Sequence, residues 1–211
     1  MNQMNDLQQR LANLSPQQRE LILEKLEQQQ LLPVTNESQA IPVISREQVI
    51  PLSFAQQRIW FLEQTRLTGN AYHIPLTIHL MGQLDEVALE QSLNQIIARH
   101  ETLRTTFSSV NDRPVQVIKP PFELGLPKKD LSGLTPSQQK VELQQLLEKE
   151  NEQQFNLEVD PPIRAQLLKL GSTEHLLQVT LHHIASDGWS MTVLTKELSA
   201  YYTAAVKHQP S

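Results

Sequence analysis

The stretch of residues 175–207 constrains this chain more than any other. Residues 175–183 read His-Leu-Leu-Gln-Val-Thr-Leu-His-His, an alternating pattern that predicts a strand. Leu177, Val179, Leu181 and His183 fall on one face, and Gln178, Thr180 and His182 on the other. The strand passes into Ile184-Ala185-Ser186-Asp187-Gly188-Trp189-Ser190. An amphipathic helix then follows over 190–207, on Leu194, Leu198, Tyr201 and Tyr202. The two adjacent histidines cannot do the same job while the strand stays regular. His183 is expected on the apolar face, where a neutral imidazole can take a proton from an amine or hold it by a hydrogen bond. Asp187 is placed to pair with an arginine and fix the loop. Gly188 permits a tight turn, and Ser190 is expected to cap the helix. A metal pair is set aside, because neighbouring strand residues face opposite ways and no third ligand stands at a familiar spacing.

The rest of the chain supplies elements for such a strand to join. Ser53 and Gln56 form a capping-box pattern that opens a helix to about Gln64, and residues 72–80 are β-branched and predict a strand. Asp85 caps a helix whose stripe is Val87, Leu89, Leu93, Ile96 and Ile97. Residues 103–108 and 114–118 predict a strand pair with Asn111-Asp112 in the turn. Thr135-Pro136-x-Gln138 opens a helix to about Gln153. Residues 163–170 and 175–183 predict a hairpin around Gly171-Ser172-Thr173-Glu174. Helices mixed irregularly with hairpins predict an α/β two-layer sandwich with a mixed, largely antiparallel sheet.

Residues 1–30 are Gln-rich, with Ser15 as a candidate helix cap before Pro16 and Gln18. Residues 31–50 hold Pro33 and Pro42 and read as a linker. The domains expected are therefore a helical leader or docking segment at 1–30, a linker at 31–50 and a globular lobe at 51–211. Net charge is −5 with lysine and arginine scattered, which sets nucleic acid aside. No apolar run is long enough to span a bilayer, so no membrane partner is expected. The chain has no cysteine. That excludes disulfides and thiolate zinc sites and suits a cytoplasmic location.

The string His-His-x-x-x-Asp-Gly at 182–188 resembles the signature of the chloramphenicol-acetyltransferase-like superfamily. The following Trp189-Ser190 resembles its condensation-domain branch, found in nonribosomal peptide synthetases. Two further blocks resemble the same family in the expected order. One is Ser-Phe-Ala-Gln-Gln-Arg-Ile-Trp-Phe-Leu at 53–62, and the other is Arg-His-Glu-Thr-Leu-Arg-Thr-Thr-Phe at 99–107. Asn70-Ala71-Tyr72-His73-Ile74-Pro75 and Gly82-Gln83-Leu84-Asp85 fit between them, so the resemblance runs from about 50 to 211.

The resemblance implies the N-terminal lobe of a condensation domain. The amine of a carrier-bound aminoacyl thioester would attack a donor thioester held by phosphopantetheine on another carrier, forming an amide. His183 maps onto the histidine nearest chemistry, either as general base or as a group that positions the amine and stabilises the tetrahedral intermediate. His182 is expected to pack or hydrogen-bond within the loop. Asp187 is expected to pair with an arginine of the second block, Arg99 in preference to Arg104. A Cβ at Gly188 would narrow the space near the thioester, and its N–H could polarise the carbonyl. No cofactor is expected on the chain itself. The opening block and the Asp-Gly-Trp-Ser ending look more like domains that take an L-configured donor, and His182 argues against the heterocyclising subtype, which carries aspartate there.

Condensation domains have about twice this length, with two lobes around a tunnel. The expectation is therefore a fragment lacking the C-terminal lobe, inactive by itself, with His183 exposed at an inter-lobe surface. Its expected partners are donor and acceptor carrier domains, the second lobe, and an upstream part of the synthetase docked through residues 1–30. The alternatives are an epimerisation domain, a stand-alone acyltransferase of the same superfamily, or a non-catalytic carrier-docking module.

Overall fold

A computed structural model describes residues 49–111 and 113–209. The expected leader helix capped by Ser15 and nearly all of the expected linker lie outside the described residues. Among the described residues twelve elements follow in order. They are β1 (Ile50–Pro51), α1 (Phe54–Gln64), β2 (His73–Met81), α2 (Glu86–Arg99), a 3-10 turn (Glu101–Arg104), β3 (Thr105–Val110), β4 (Arg113–Ile118), β5 (Lys128–Asp130), α3 (Pro136–Glu152), β6 (Ile163–Gly171), β7 (Glu174–His182) and α4 (Gly188–Val206).

Local chemistry explains most of the boundaries. Ser53 accepts from the Gln56 N–H while Gln56 Oε1 accepts from the Ser53 N–H, closing a capping box on α1. Thr135 and Gln138 do the same for α3, with Pro136 in its first turn. Asp85 caps α2 through the Ala88 N–H at 2.9 Å. Two expectations shift here. Leu103 belongs to the 3-10 turn rather than to β3, because the Leu103 N–H bonds back to His100 O and winds the chain before it extends. Val87 sits in the first turn of α2 and is exposed, so the buried stripe begins after it, with Ala88 and Leu89.

The strands make two sheets. β1, β4 and β3 form a small antiparallel sheet. β2, β7, β6 and β5 form the larger one, antiparallel except where β5 runs parallel to β6. This is the mixed, largely antiparallel sheet expected. β7 lies between β2 and β6 and is buried along almost its whole length. Its Leu177, Val179 and Leu181 face α2 and α4, whose Leu89, Leu93, Ile96, Ile97, Leu194 and Leu198 complete the main core. On the opposite face Gln178 and Gln166 bond each other and donate to carbonyls at Leu147 and Leu146 of α3. These two glutamines are satisfied by hydrogen bonds instead of apolar packing. A second cluster joins Leu52, Trp60, Phe107, Phe155, Leu157 and Ile184, and it is here that α1 meets the loop after β7.

Leu177 is fully buried at the centre of β7. Leu177→Ala is expected to cost about 2–5 kcal/mol in urea unfolding, whereas Val87→Ala should stay within about 0.5 kcal/mol of the parent. Equal effects would mean that the α2 stripe is misassigned.

Candidate functional site

The motif segment is built around one buried ring. His182 ends β7 with no solvent exposure. Its own N–H donates to Pro162 O at 3.0 Å and the next N–H, of His183, to Tyr72 O at 2.8 Å, so both flanking connections hold the strand end. The Ala185 N–H and the Ser186 hydroxyl then both donate to His182 O at 3.0 Å, which ends the pleat. The Ile184 N–H donates to His182 Nδ1 at 3.1 Å. The ring therefore closes its own loop.

Around the His182 ring stand Phe155, edge-on at 5.5 Å between centroids, His73 at 6.0 Å and Tyr72 at 6.2 Å. His73 Nδ1 lies 2.7 Å from the carbonyl of Asn151, so that nitrogen carries the proton and donates it. Arg164 stacks its guanidinium 3.7 Å from the Phe155 centroid, pairs with Glu150 at 2.8 Å, and donates to the carbonyls of Glu150 and Gln153. Burial pushes the His182 ring down to about 3, and the nearby His73, His183 and Arg164 act in the same direction. The ring is neutral at physiological pH. Glu63 Oε1 stands 3.7 Å from its Nε2, beyond a hydrogen bond, and with a neutral ring this contact is not an ion pair.

His183 is where the structure departs from the expected pattern. It does not share the buried face of Leu177, Val179 and Leu181, because the alternation stops at His182; its ring is exposed. The residues on either side, His182 and Ile184, are both buried. His183 lines an open cleft of about 560 Å³ with Ser53, Gln56, Ile59, Asp187 and Ser190. Gln56 Nε2 reaches Ile184 O at 3.4 Å, so the first sequence block touches the motif loop directly.

Among the described residues Asp187 pairs with no arginine. It is the N-cap of α4, accepting from the Ser190 N–H at 2.9 Å and the Ser190 hydroxyl at 2.7 Å. Those two bonds, the hydroxyl's first, hold its carboxyl below the usual range. Ser190 is thus the third residue of the capping box rather than the cap. Arg99 pairs instead with Glu197 at 3.2 Å, and His100 Nε2 meets the other oxygen of Glu197 at 2.6 Å. Glu197 lies ten residues beyond Asp187, roughly 15 Å along the helix, so an arginine anchored there is out of reach of the cap. Arg104 donates to Lys119 O and stands 3.6 Å from Glu101. Gly188 opens α4, and a Cβ built there meets nothing within 4 Å, so this lobe by itself sets no steric demand for glycine.

Sequence reasoning missed the support around His182. His73 belongs to the block at 70–75, where nothing in its spacing signals a role beside the motif. Arg164 is legible as a charge in a strand apolar at its neighbours Ile163 and Ala165, which requires a partner; which partner is not legible. Among the described residues no group of three or more His, Cys, Asp or Glu side chains could hold a metal ion, and no helix is long and apolar enough to cross a membrane.

With the geometry in hand, comparison with known proteins gives a consistent answer. The family model described as Condensation domain matches residues 46–211. Malpinin synthetase of Mortierella alpina is 45% identical over 153 residues, 72% of this chain and 2% of that protein. Chondramide synthase cmdD of Chondromyces crocatus is 44% identical over 160 residues, 76% of this chain and 4% of that protein. Among solved structures, the complex of the X-domain and OxyB from teicoplanin biosynthesis aligns with a TM-score of 0.71 at 33% identity, covering 81% of this chain and 36% of that one. The starter condensation domain of rhizomide synthetase RzmA aligns with a TM-score of 0.71 at 25% identity, covering 77% of this chain and 39% of that one. The chain thus spans well under half of the length of these relatives.

Two measurements follow from the site. Between about pH 6.5 and 3 the unfolded chain binds a proton on residue 182 that the folded chain refuses. The stability from this group is complete above about 6.5 and falls as pH drops through that window, by up to about 1.4 kcal/mol per pH unit. Of the ionisable groups facing the ring, His73, His183 and Arg164 lie on its own sheet or loop and Glu63 on α1. In urea titrations across the window, His182→Gln should flatten that slope and cost about 1–3 kcal/mol at neutral pH; an unchanged slope would mean the ring is not the titrating group. Gly188→Ala should leave thermal stability unchanged or raise it by up to about 1 kcal/mol, since the added Cβ has open space at a helix start.

Proposed function

Because the chain belongs to the condensation-domain family of nonribosomal peptide synthetases, we propose that it supplies the His183-bearing lobe for amide-bond formation between two carrier-bound substrates. The amine of the acceptor aminoacyl thioester attacks the donor carbonyl. A C–N bond forms, the C–S bond to the donor phosphopantetheine breaks, and the thiolate leaves with the donor carrier. His183 takes the proton lost by the attacking amine or holds that amine in line. The observation that carries this reading is the exposure of His183 over an open cleft while His182 and Ile184 on either side are buried. A group so placed can meet a substrate without moving its own backbone.

The proposed donor is L-configured, on the residues at 53–60 and 187–190. The proposed partners are the donor and acceptor carriers, a C-terminal lobe completing the tunnel, and an upstream part of the synthetase engaging residues 1–30. A second reading, that the lobe serves as a binding module, is favoured by one observation: the 33%-identical X-domain was solved in complex with OxyB.

The test is product formation by the continuous synthetase protein with loaded donor and acceptor carriers, wild type against His183→Ala. Loss of dipeptidyl-carrier product by about 100-fold or more is expected, with carrier binding retained. Undiminished product in the variant would remove His183 from the chemistry. No product from either protein, with carriers bound equally, would favour the binding module.

A further inference from the structure

Beside the cleft of His183 lies a second cavity, to which the reaction above assigns no role. It holds about 250 Å³ and is bounded by the start of α4, the end of α2 and the 3-10 turn. Ile96, Leu103, Leu181, Val193 and Leu194 supply its apolar wall, and Trp189, 77% exposed, stands at its mouth. Ala185, Ser186 and Ser190 line both this cavity and the His183 cleft, so the two adjoin along the motif loop. α1 completes the cleft, and α2 with the 3-10 turn completes the cavity.

The serines and the histidine of the cavity are already engaged. The Ser186 hydroxyl donates to His182 O at 3.0 Å, and the Ser190 hydroxyl to Asp187 at 2.7 Å. His100 Nε2 meets Glu197 at 2.6 Å, and Arg99 holds the other oxygen of that carboxylate. Among the described residues no Asp, Glu, Lys or Arg side chain lines the cavity. A charged occupant would lose its water with little to replace it, whereas an apolar one gains by leaving water. The volume falls below the about 300–1,000 Å³ of pockets that hold whole small molecules, and it suits a single side chain.

We propose that this cavity receives the side chain of the acceptor aminoacyl thioester and selects medium-sized apolar side chains, of the leucine or phenylalanine class. The inference rests on the reading of His183 given above, and it names the substrate class for that same site. The acceptor is chosen over the donor by chemistry. The amine that His183 meets is bonded to the α-carbon that carries the acceptor side chain, whereas the donor side chain is one bond further from that nitrogen. A side chain branching beside the reacting amine passes over Ser190 and enters the adjoining cavity.

The experiment uses the continuous synthetase protein with loaded carriers and varies the acceptor. A leucyl acceptor should exceed alanyl and glutamyl ones in kcat/KM by about tenfold or more. Val193→Phe, which fills the cavity, should lower the leucyl acceptor by about tenfold or more and change the alanyl one by no more than about twofold. If Val193→Phe does not fold, Val193→Ala, which widens the cavity, should raise a tryptophanyl acceptor relative to the leucyl one by about fivefold or more. Equal effects on all acceptors, no effect, or a preference that follows the donor side chain would each overturn the proposal. Binding separates this from the role of His183. A leucyl-pantetheine analogue with an amide in place of the thioester should bind about tenfold more tightly than its alanyl counterpart, and Val193→Phe should erase the difference. If His183→Ala leaves product undiminished while that binding preference holds, the reading of His183 fails and the cavity stands; equal binding of the two analogues sinks the cavity alone.

Discussion

The burial of one imidazole organises the functional end of this lobe. Once His182 is drawn into the protein at the end of β7, its Nδ1 captures the Ile184 N–H and the chain must turn. The turn sends Ile184 into the cluster of Leu52, Trp60, Phe107, Phe155 and Leu157. His183, caught between two buried neighbours, is left facing solvent. Removing the ring from water also keeps it neutral, and a neutral ring is what the arrangement requires, because a protonated Nδ1 could not accept from Ile184. The side chain that packs and the side chain that faces solvent are therefore consecutive residues with opposite fates, each depending on the other.

The loop lies at a seam between two apolar clusters. Leu181 belongs to the core shared with α2 and α4, and Ile184 to the one shared with α1. Asp187 starts α4 by capping it, so the same few residues end a strand, expose His183 and begin the helix that covers the sheet. The ties between α2 and α4 lie further down the helix, where Glu197 receives both Arg99 and His100. Cap and ion pair are thus separate devices acting at different heights of α4. In a cleft lined by Ser53, Gln56 and Ile59, the contribution of α1 is to form the wall opposite the motif, and its Gln56 holds that wall to the loop.

Much of the fold is legible in the sequence because helix starts are local. Ser53 with Gln56, Asp85, and Thr135 with Gln138 each act within three residues, so type and spacing suffice to find them. Legibility fails where locality does. Asp187 and Ser190 both suit a helix start, and which of them caps depends on where the preceding strand lets go. Leu103 has the composition of a strand residue, but the turn bonded to His100 comes first. The alternation puts His183 on the apolar face only if it runs one residue past the point at which His182 O collects its two extra donors.

The sequence by itself determined the elements, the mixed α/β architecture and the identity of the segment that carries the histidines. Those features are written in periodicity, caps and residue type over short spans. Only the tertiary structure decided which histidine is buried, which acid each arginine meets, and which side chains support the site. Those choices join residues far apart in the chain: Gln56 to Ile184, Tyr72 to His183, Arg99 to Glu197. No local pattern encodes such partners, because a buried polar group is stabilised by whichever complementary group the packing of distant elements brings within hydrogen-bond reach.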